Sequence, residues 1–242
     1  MSEAVRIAGV TDAHGARAVM RQSVYVYDAP VRIWHWVNAA CILTLFITGY
    51  FIASPLLSMP GEASSHFVMG YIRFAHFSAG QILAAAFLFR IYWAFVGNAH
   101  SSEIFYVPLL SAKYWSEVGY VAKWYLFIAR QPRKYVGHNP LARLLMFFLF
   151  TIPLVFMILT GFALYSEGEG LDSWQHKAFG WVFAIFHNSQ DVHTYHHLGM
   201  WALVIFSIVH IYAAVREDIV SRQSIISSMI SGERNFKDEA PE

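Results

Sequence analysis

Of the twelve histidines in this chain, four fall within or at the edge of apolar stretches: His35, His76, His196 and His210. Imidazoles inside hydrocarbon are costly and usually functional. His196 and His210 are 14 residues apart. At about 100° and 1.5 Å per helical residue, they share one face to within about 40° and stand about 21 Å apart along the axis. One helix therefore offers an imidazole at each of two levels, which is the spacing needed to hang two haems one above the other. His197 lies on a face about 100° away, so His196 is the expected ligand and His197 its neighbour.

The elements that carry these residues are four stretches of membrane-spanning length: 34–54, 68–96, 141–165 and 195–215. Crossing the hydrocarbon takes about 20 helical residues. The chain is 57% hydrophobic and only 14% charged, against about 25% charged in soluble domains. An aromatic share of 17% suits Trp and Tyr belts at the lipid–water boundary. The expected fold is all-α: an integral membrane four-helix bundle, read as a single domain over 1–242. Pro55 stops the first span, and Pro153 is expected to kink the third.

Lys and Arg orient the spans. The N-terminal segment, 1–33, carries Arg6, Arg17, Arg21 and Arg32. The central loop carries Lys113, Lys123, Arg130, Arg133 and Lys134, and the tail, 216–242, carries Arg216, Arg222, Arg234 and Lys237. The other two loops hold only Arg73 and Lys177, the latter among Glu167, Glu169, Asp172 and Asp191. The positive-inside rule places both termini and the central loop in the cytoplasm. No cleaved leader is expected. Residues 111–130 read as an amphipathic helix on the cytoplasmic surface. Residues 178–187, too short to span, either dip into the outer interface or offer an apolar contact to a partner. The one cysteine, Cys41, excludes an internal disulfide, a thiolate-held iron–sulfur cluster and covalent haem attachment. No basic run suggests nucleic acid.

With this topology the depths match in pairs, His76 with His196 at the outer level and His35 with His210 at the inner. The third span has no histidine and is expected only to pack. Two imidazoles fill both axial positions of a haem, which makes it an electron carrier rather than a site of oxygen activation. Gly49, Gly80, Gly161 and Gly199 suit close approach, of helices or of a flat macrocycle. Arg32, Arg73 and Arg90 suit haem propionates or lipid headgroups. His14, His100 and His138 read as solvated on the cytoplasmic side, and His66, His176, His187 and His193 as surface residues of the outer side.

Two segments carry a family resemblance. Arg32-Ile33-Trp34-His35-Trp36, running on to Thr48-Gly49, resembles the first signature of the b-type cytochrome subunits of nickel–iron hydrogenases. Thr194-Tyr195-His196-His197-Leu198-Gly199-Met200-Trp201, continuing through Phe206 to His210, resembles the second. The resemblance implies two haem b groups in a bacterial cytoplasmic-membrane anchor. It also implies contact with the hydrogenase's iron–sulfur small subunit and, through it, with the nickel–iron large subunit. Electrons would leave to a quinone near the inner haem. Loops 55–73 and 166–193 would face the small subunit. Three other readings share some of the features: the cytochrome subunit of a formate dehydrogenase, a self-contained di-haem quinone-linked enzyme, and a haem-free carrier that uses its histidines for protons.

Overall fold

A computed structural model describes residues 22–55, 62, 66–221 and 223–236. His14, Arg6, Arg17, Arg21, Arg222, Lys237 and much of the 55–73 loop lie outside the described residues. Four helices are long and apolar enough to cross a membrane: α1 (Ala29–Ala53), α2 (Val68–Val96), α4 (Pro140–Glu169) and α7 (Ser189–Ser221). The shorter helices are α3 (Ala112–Tyr125), α5 (Trp174–Phe179), α6 (Trp181–Phe186) and α8 (Ile225–Ser231). Strands β1 (Gln22–Tyr25) and β2 (Glu233–Phe236) pair antiparallel, with Tyr25 opposite Glu233. This small sheet is an addition to the expected all-helical fold.

Local chemistry explains where the long helices begin and bend. α1 starts at Ala29, before the apolar run, because Pro30 presets a helical φ where its missing N–H costs nothing. It stops at Ala53, ahead of Pro55, whose ring disfavours helical backbone in the residue before it. α4 opens on Asn139, whose side chain accepts from the Ala142 amide at 2.7 Å, with Pro140 in the first turn. Within α4 the expected disturbance at Pro153 takes a definite form, a π turn over Phe147–Thr151. Proline removes one amide donor and crowds the carbonyl four residues back, and a widened turn makes room for it. α7 extends back to Ser189 because Asn188 caps it, accepting from the Asp191 amide at 2.8 Å.

The chain divides into two compact units, one of the segments up to Ile33, Trp93–Phe147 and from Val209 onward, the other of Trp34–Tyr92 and Phe148–Ile208. In the first, the β pair is closed by Gly232, at φ +87°, whose carbonyl accepts from the Val26 and Tyr27 amides at 2.8 and 3.2 Å. A side chain is strained at that φ, and a Cβ there would also stand 2.8 Å from the Tyr27 carbonyl oxygen. Arg234 is buried and ties β2 to the chain before α4, donating to the Val136 and Gly137 carbonyls at 3.1 and 2.7 Å and to Gln223 Oε1 at 2.6 Å.

α3 buries Tyr114, Val118, Val121 and Trp124 along one face, and Tyr114 donates to the Pro140 carbonyl at 2.8 Å. It ends at Tyr125, short of residue 130, because the guanidinium of Arg216 takes the Tyr125 and Trp124 carbonyls at 2.9 and 3.0 Å and the chain turns through Phe127 at φ 62°.

In the second unit, residues 178–187 fall in two short helices with one covered face. α5 and α6 turn about Gly180 and pack on α4 and the start of α7 through Ala163, Val182, Val192, Phe179, Phe183 and Phe186. Their other face is open, with Trp174, Trp181 and Ile185 exposed. The long helices also expose large apolar side chains along much of their length, among them Leu43, Phe74, Leu88, Ile205 and Ile211. Lipid, not water, is the solvent that accepts such surfaces.

Candidate functional site

The second unit holds two matching arrangements. On α1, Thr48 Oγ1 meets His76 Nδ1 of α2 at 2.9 Å. On α4, Thr160 Oγ1 meets His196 Nδ1 of α7 at 2.8 Å. Each threonine also reaches back to a carbonyl of its own helix, Thr48 to Thr44 at 2.6 Å and Thr160 to Phe156 at 2.8 Å. A hydroxyl has a single proton, and helix-borne threonines give it to the carbonyl one turn back. The threonine oxygen then accepts from the ring, which puts the imidazole proton on Nδ1 and leaves Nε2 as a lone-pair donor in both histidines. That is the tautomer a metal-bound histidine needs, with the outer hydrogen bond fixing the ring.

The residue after each threonine is glycine, and the ring lies against it. A Cβ at Gly49 would stand 3.3 Å from His76 Cε1, and one at Gly161 would stand 3.2 Å from His196 Cε1. The Gly49 position also faces Met200 Sδ at 3.6 Å, one turn along α7 from His196. The level of His76 is thereby tied to that of His196 by contacts of α1 with both α2 and α7. Thr48 and Thr160 are buried at 8% and 1% exposure, so water does not compete for the bonds that hold the rings.

The donor set suits haem iron. Two neutral imidazoles from facing helices, each oriented through Nδ1 and backed by a glycine, match the needs of a bis-histidine haem. His197 is placed differently: its Nε2 accepts from Trp201 Nε1 at 3.1 Å, so that nitrogen is already used by its own helix. At the other level, His35 is half-buried on α1, edge-on to Trp36 at 5.1 Å between ring centres. His210 is half-buried on α7.

The third span does more than pack, since Thr160 and Gly161 are its contribution to the site. The sequence carried one signal for this, the recurrence of Thr-Gly at 48–49 and 160–161. His176 is not a plain surface residue either: its ring stacks on Phe183, with centroids 6.4 Å apart.

A second polar cluster, in the first unit, was not expected. Glu103, 7% exposed, accepts from His100 Nδ1 at 2.8 Å through one oxygen. Its other oxygen takes the His138 amide at 3.0 Å and lies 2.7 Å from His138 Nδ1. Tyr27 adds its hydroxyl to His138 at 3.1 Å. Burial pushes the Glu103 carboxyl up, but the bonds from His100 and His138 and the charge of His138 outweigh it and hold the group far below the usual carboxylate range. His100 and His138 are thus bound to a buried acid, not solvated.

Comparison with known proteins places these features in context. The family model for prokaryotic cytochrome b561 matches residues 26–232. A probable Ni/Fe-hydrogenase B-type cytochrome subunit of Rhizobium leguminosarum bv. viciae is 67% identical over 227 residues, covering 94% of this chain and 95% of that one. Its counterpart in Azotobacter vinelandii is 58% identical over 229 residues, covering 94% and 95%. A probable Ni/Fe-hydrogenase 1 B-type cytochrome subunit of Escherichia coli strain K12 is 49% identical over 219 residues, covering 89% and 92%.

Proposed function

The chain belongs to the prokaryotic cytochrome b561 family, and from that premise we propose that it is the di-haem b-type cytochrome subunit of a membrane-bound nickel–iron hydrogenase. In this role it anchors the hydrogenase and carries electrons from the iron–sulfur small subunit to the quinone pool. The observation that carries the reading is the pair of Thr–His bonds at 2.9 and 2.8 Å, which present His76 and His196 as two oriented Nε2 donors in one membrane-spanning unit. His76 and His196 hold the outer haem, and His35 and His210 hold the inner one. Haem b supplies a reversible one-electron iron couple. With two histidines given to each haem, the irons would have no position left for a substrate, and the groups would serve electron transfer alone.

The partner follows from the names and cover of the relatives, each of which the chain matches over nearly its whole length. The exposed faces of α5 and α6, with Trp174 and Trp181, are the expected seat of the small subunit. Both termini and the 97–139 segment face the cytoplasm, by the charge bias of the loops. The test is purification of the tagged chain in mild detergent, with haem quantitation and identification of bound proteins on one sample. Two b-type haems per chain and the two hydrogenase subunits are expected. Haem-free protein from fully expressed cells overturns the reading. In His196→Ala one haem is lost and the other kept, and hydrogen-dependent quinone reduction stops.

A further inference from the structure

Arg90 is the most deeply buried of the three arginines that suit a propionate or a headgroup. Arg32 donates to the Ile230 carbonyl, and Arg73 is exposed. Arg90, in the last two turns of α2, is 2% exposed. Its guanidinium lies 5.3 Å from the centre of the Trp34 ring, on the first turns of α1. Trp34 is itself 6% exposed, and its indole Nε1 is buried with no hydrogen-bond partner among the described residues. Asn38, one turn further along α1 and also 6% exposed, has its Oδ1 buried in the same state. Orphaned polar atoms are costly in a membrane-spanning helix, where no water can satisfy them. Half a turn of the Asn38 amide exchanges its acceptor for a donor.

The register ties this cluster to the inner level. Arg90 is 14 residues beyond His76, the same step that separates His210 from His196. On α2 that step returns to within about 40° of the His76 face, about 21 Å along the axis. Where α7 offers a second histidine, α2 offers a guanidinium, and Trp34 directly precedes His35 on α1. A planar fork of five N–H donors matches a carboxylate better than any other group that reaches such a depth.

Resting on the reading of His35 as an inner ligand, we propose that Arg90, with Trp34 and Asn38, forms the carboxylate pocket that receives a propionate of the inner haem. A fixed positive charge there favours the reduced, less positive iron, so it also raises the potential of that site. The same oxyanion chemistry is offered by a lipid phosphate, which the test separates.

The test is a redox titration of the reduced b-type band, with haem-to-protein ratios, on the full chain in membranes. In Arg90→Gln one of the two components falls in midpoint potential or is lost, while the component removed by His196→Ala keeps its wild-type value. Arg90→Lys, which keeps the charge without the fork, gives a smaller fall, and Trp34→Phe moves the same component. Both components at full occupancy and unshifted in Arg90→Gln overturn the proposal. Should that variant not accumulate, unshifted potentials in both Arg90→Lys and Trp34→Phe overturn it. A wild-type potential that shifts when anionic lipid is exchanged for zwitterionic lipid in vesicles, in a way Arg90→Lys abolishes, assigns the pocket to lipid phosphate and also overturns it. Wild-type protein without haem overturns the functional reading itself, whereas two haems indifferent to every variant overturn only this pocket.

Discussion

At the scale of residues, what counts is where one proton sits. Thr48 and Thr160 give theirs to helix carbonyls, so each histidine donates its Nδ1 proton to the threonine, which leaves Nε2 open as a ligand atom. Thr160→Val keeps the shape and removes the acceptor. The buried Nδ1–H is then unsatisfied and the ring is free to turn. Loss of a partner hydrogen-bonded to a metal ligand typically weakens binding about 10–100-fold. Haem retention through detergent washing is expected to fall in Thr160→Val and to recover in Thr160→Ser. Retention equal to wild type in the valine variant would show that the hydroxyl does not orient His196. The shared face of His196 and His210 could be read from spacing alone, because residues 14 apart on one helix obey helical geometry. The threonines could not be, because their partners lie 28 and 36 residues away on other helices. No local periodicity records a bond between helices.

At the scale of elements, the long helices were read from hydropathy, and their ends were set by caps and prolines outside the apolar runs. What hydropathy could not show is how the charged segments fold on one another. His100 and His138 read as solvated, yet with Glu103 they close a buried cluster between the chain after α2 and the chain before α4. A carboxyl held below its ordinary value near 4.5 contributes stability that is full above that pH and is lost as pH falls through its folded-state value. The solubilised chain is therefore expected to lose thermal stability progressively on acidification below about pH 4.5. Glu103→Gln should flatten that slope and cost about 2 kcal/mol at neutral pH, the scale of losing buried hydrogen bonds to a charged acceptor. An unchanged acid slope in the glutamine variant would remove Glu103 from the account.

Arg216 plays a comparable part for α3. It binds the two carbonyls that end the helix and lies over the rings of Trp124, Tyr125 and Phe127 at 4.5, 4.9 and 4.3 Å. Beside it, Glu217 accepts from Tyr125 at 2.6 Å and from Asn139. Burial and that carboxylate push the Tyr125 hydroxyl well above the usual phenol range, so it stays a donor at any working pH. Arg216→Ala leaves two carbonyls and three ring faces without their cation. Limited proteolysis should then cut near residues 126–131 faster than in wild type, and equal rates would mean that α3 is held by its apolar face alone.

At the scale of the whole molecule, the distribution of charge sets orientation, and orientation decides which face meets the hydrogenase. Lys113, Lys123, Arg130, Arg133 and Lys134 lie on one side of the spans in sequence, while Glu167, Glu169, Asp172 and Asp191 with a single Lys177 lie on the other. Cationic loops are retained on the cytoplasmic side during insertion. Leu110 and Leu171 are exposed at 103% and 76%, one in each kind of loop, which suits both to a reporter. In a Cys41→Ala background, Leu171→Cys is expected to react with a membrane-impermeant maleimide in intact spheroplasts, and Leu110→Cys only after lysis. The reverse pattern would put the α5–α6 face in the cytoplasm, where a periplasmic hydrogenase could not reach it. This labelling therefore tests the proposed role and not only the topology.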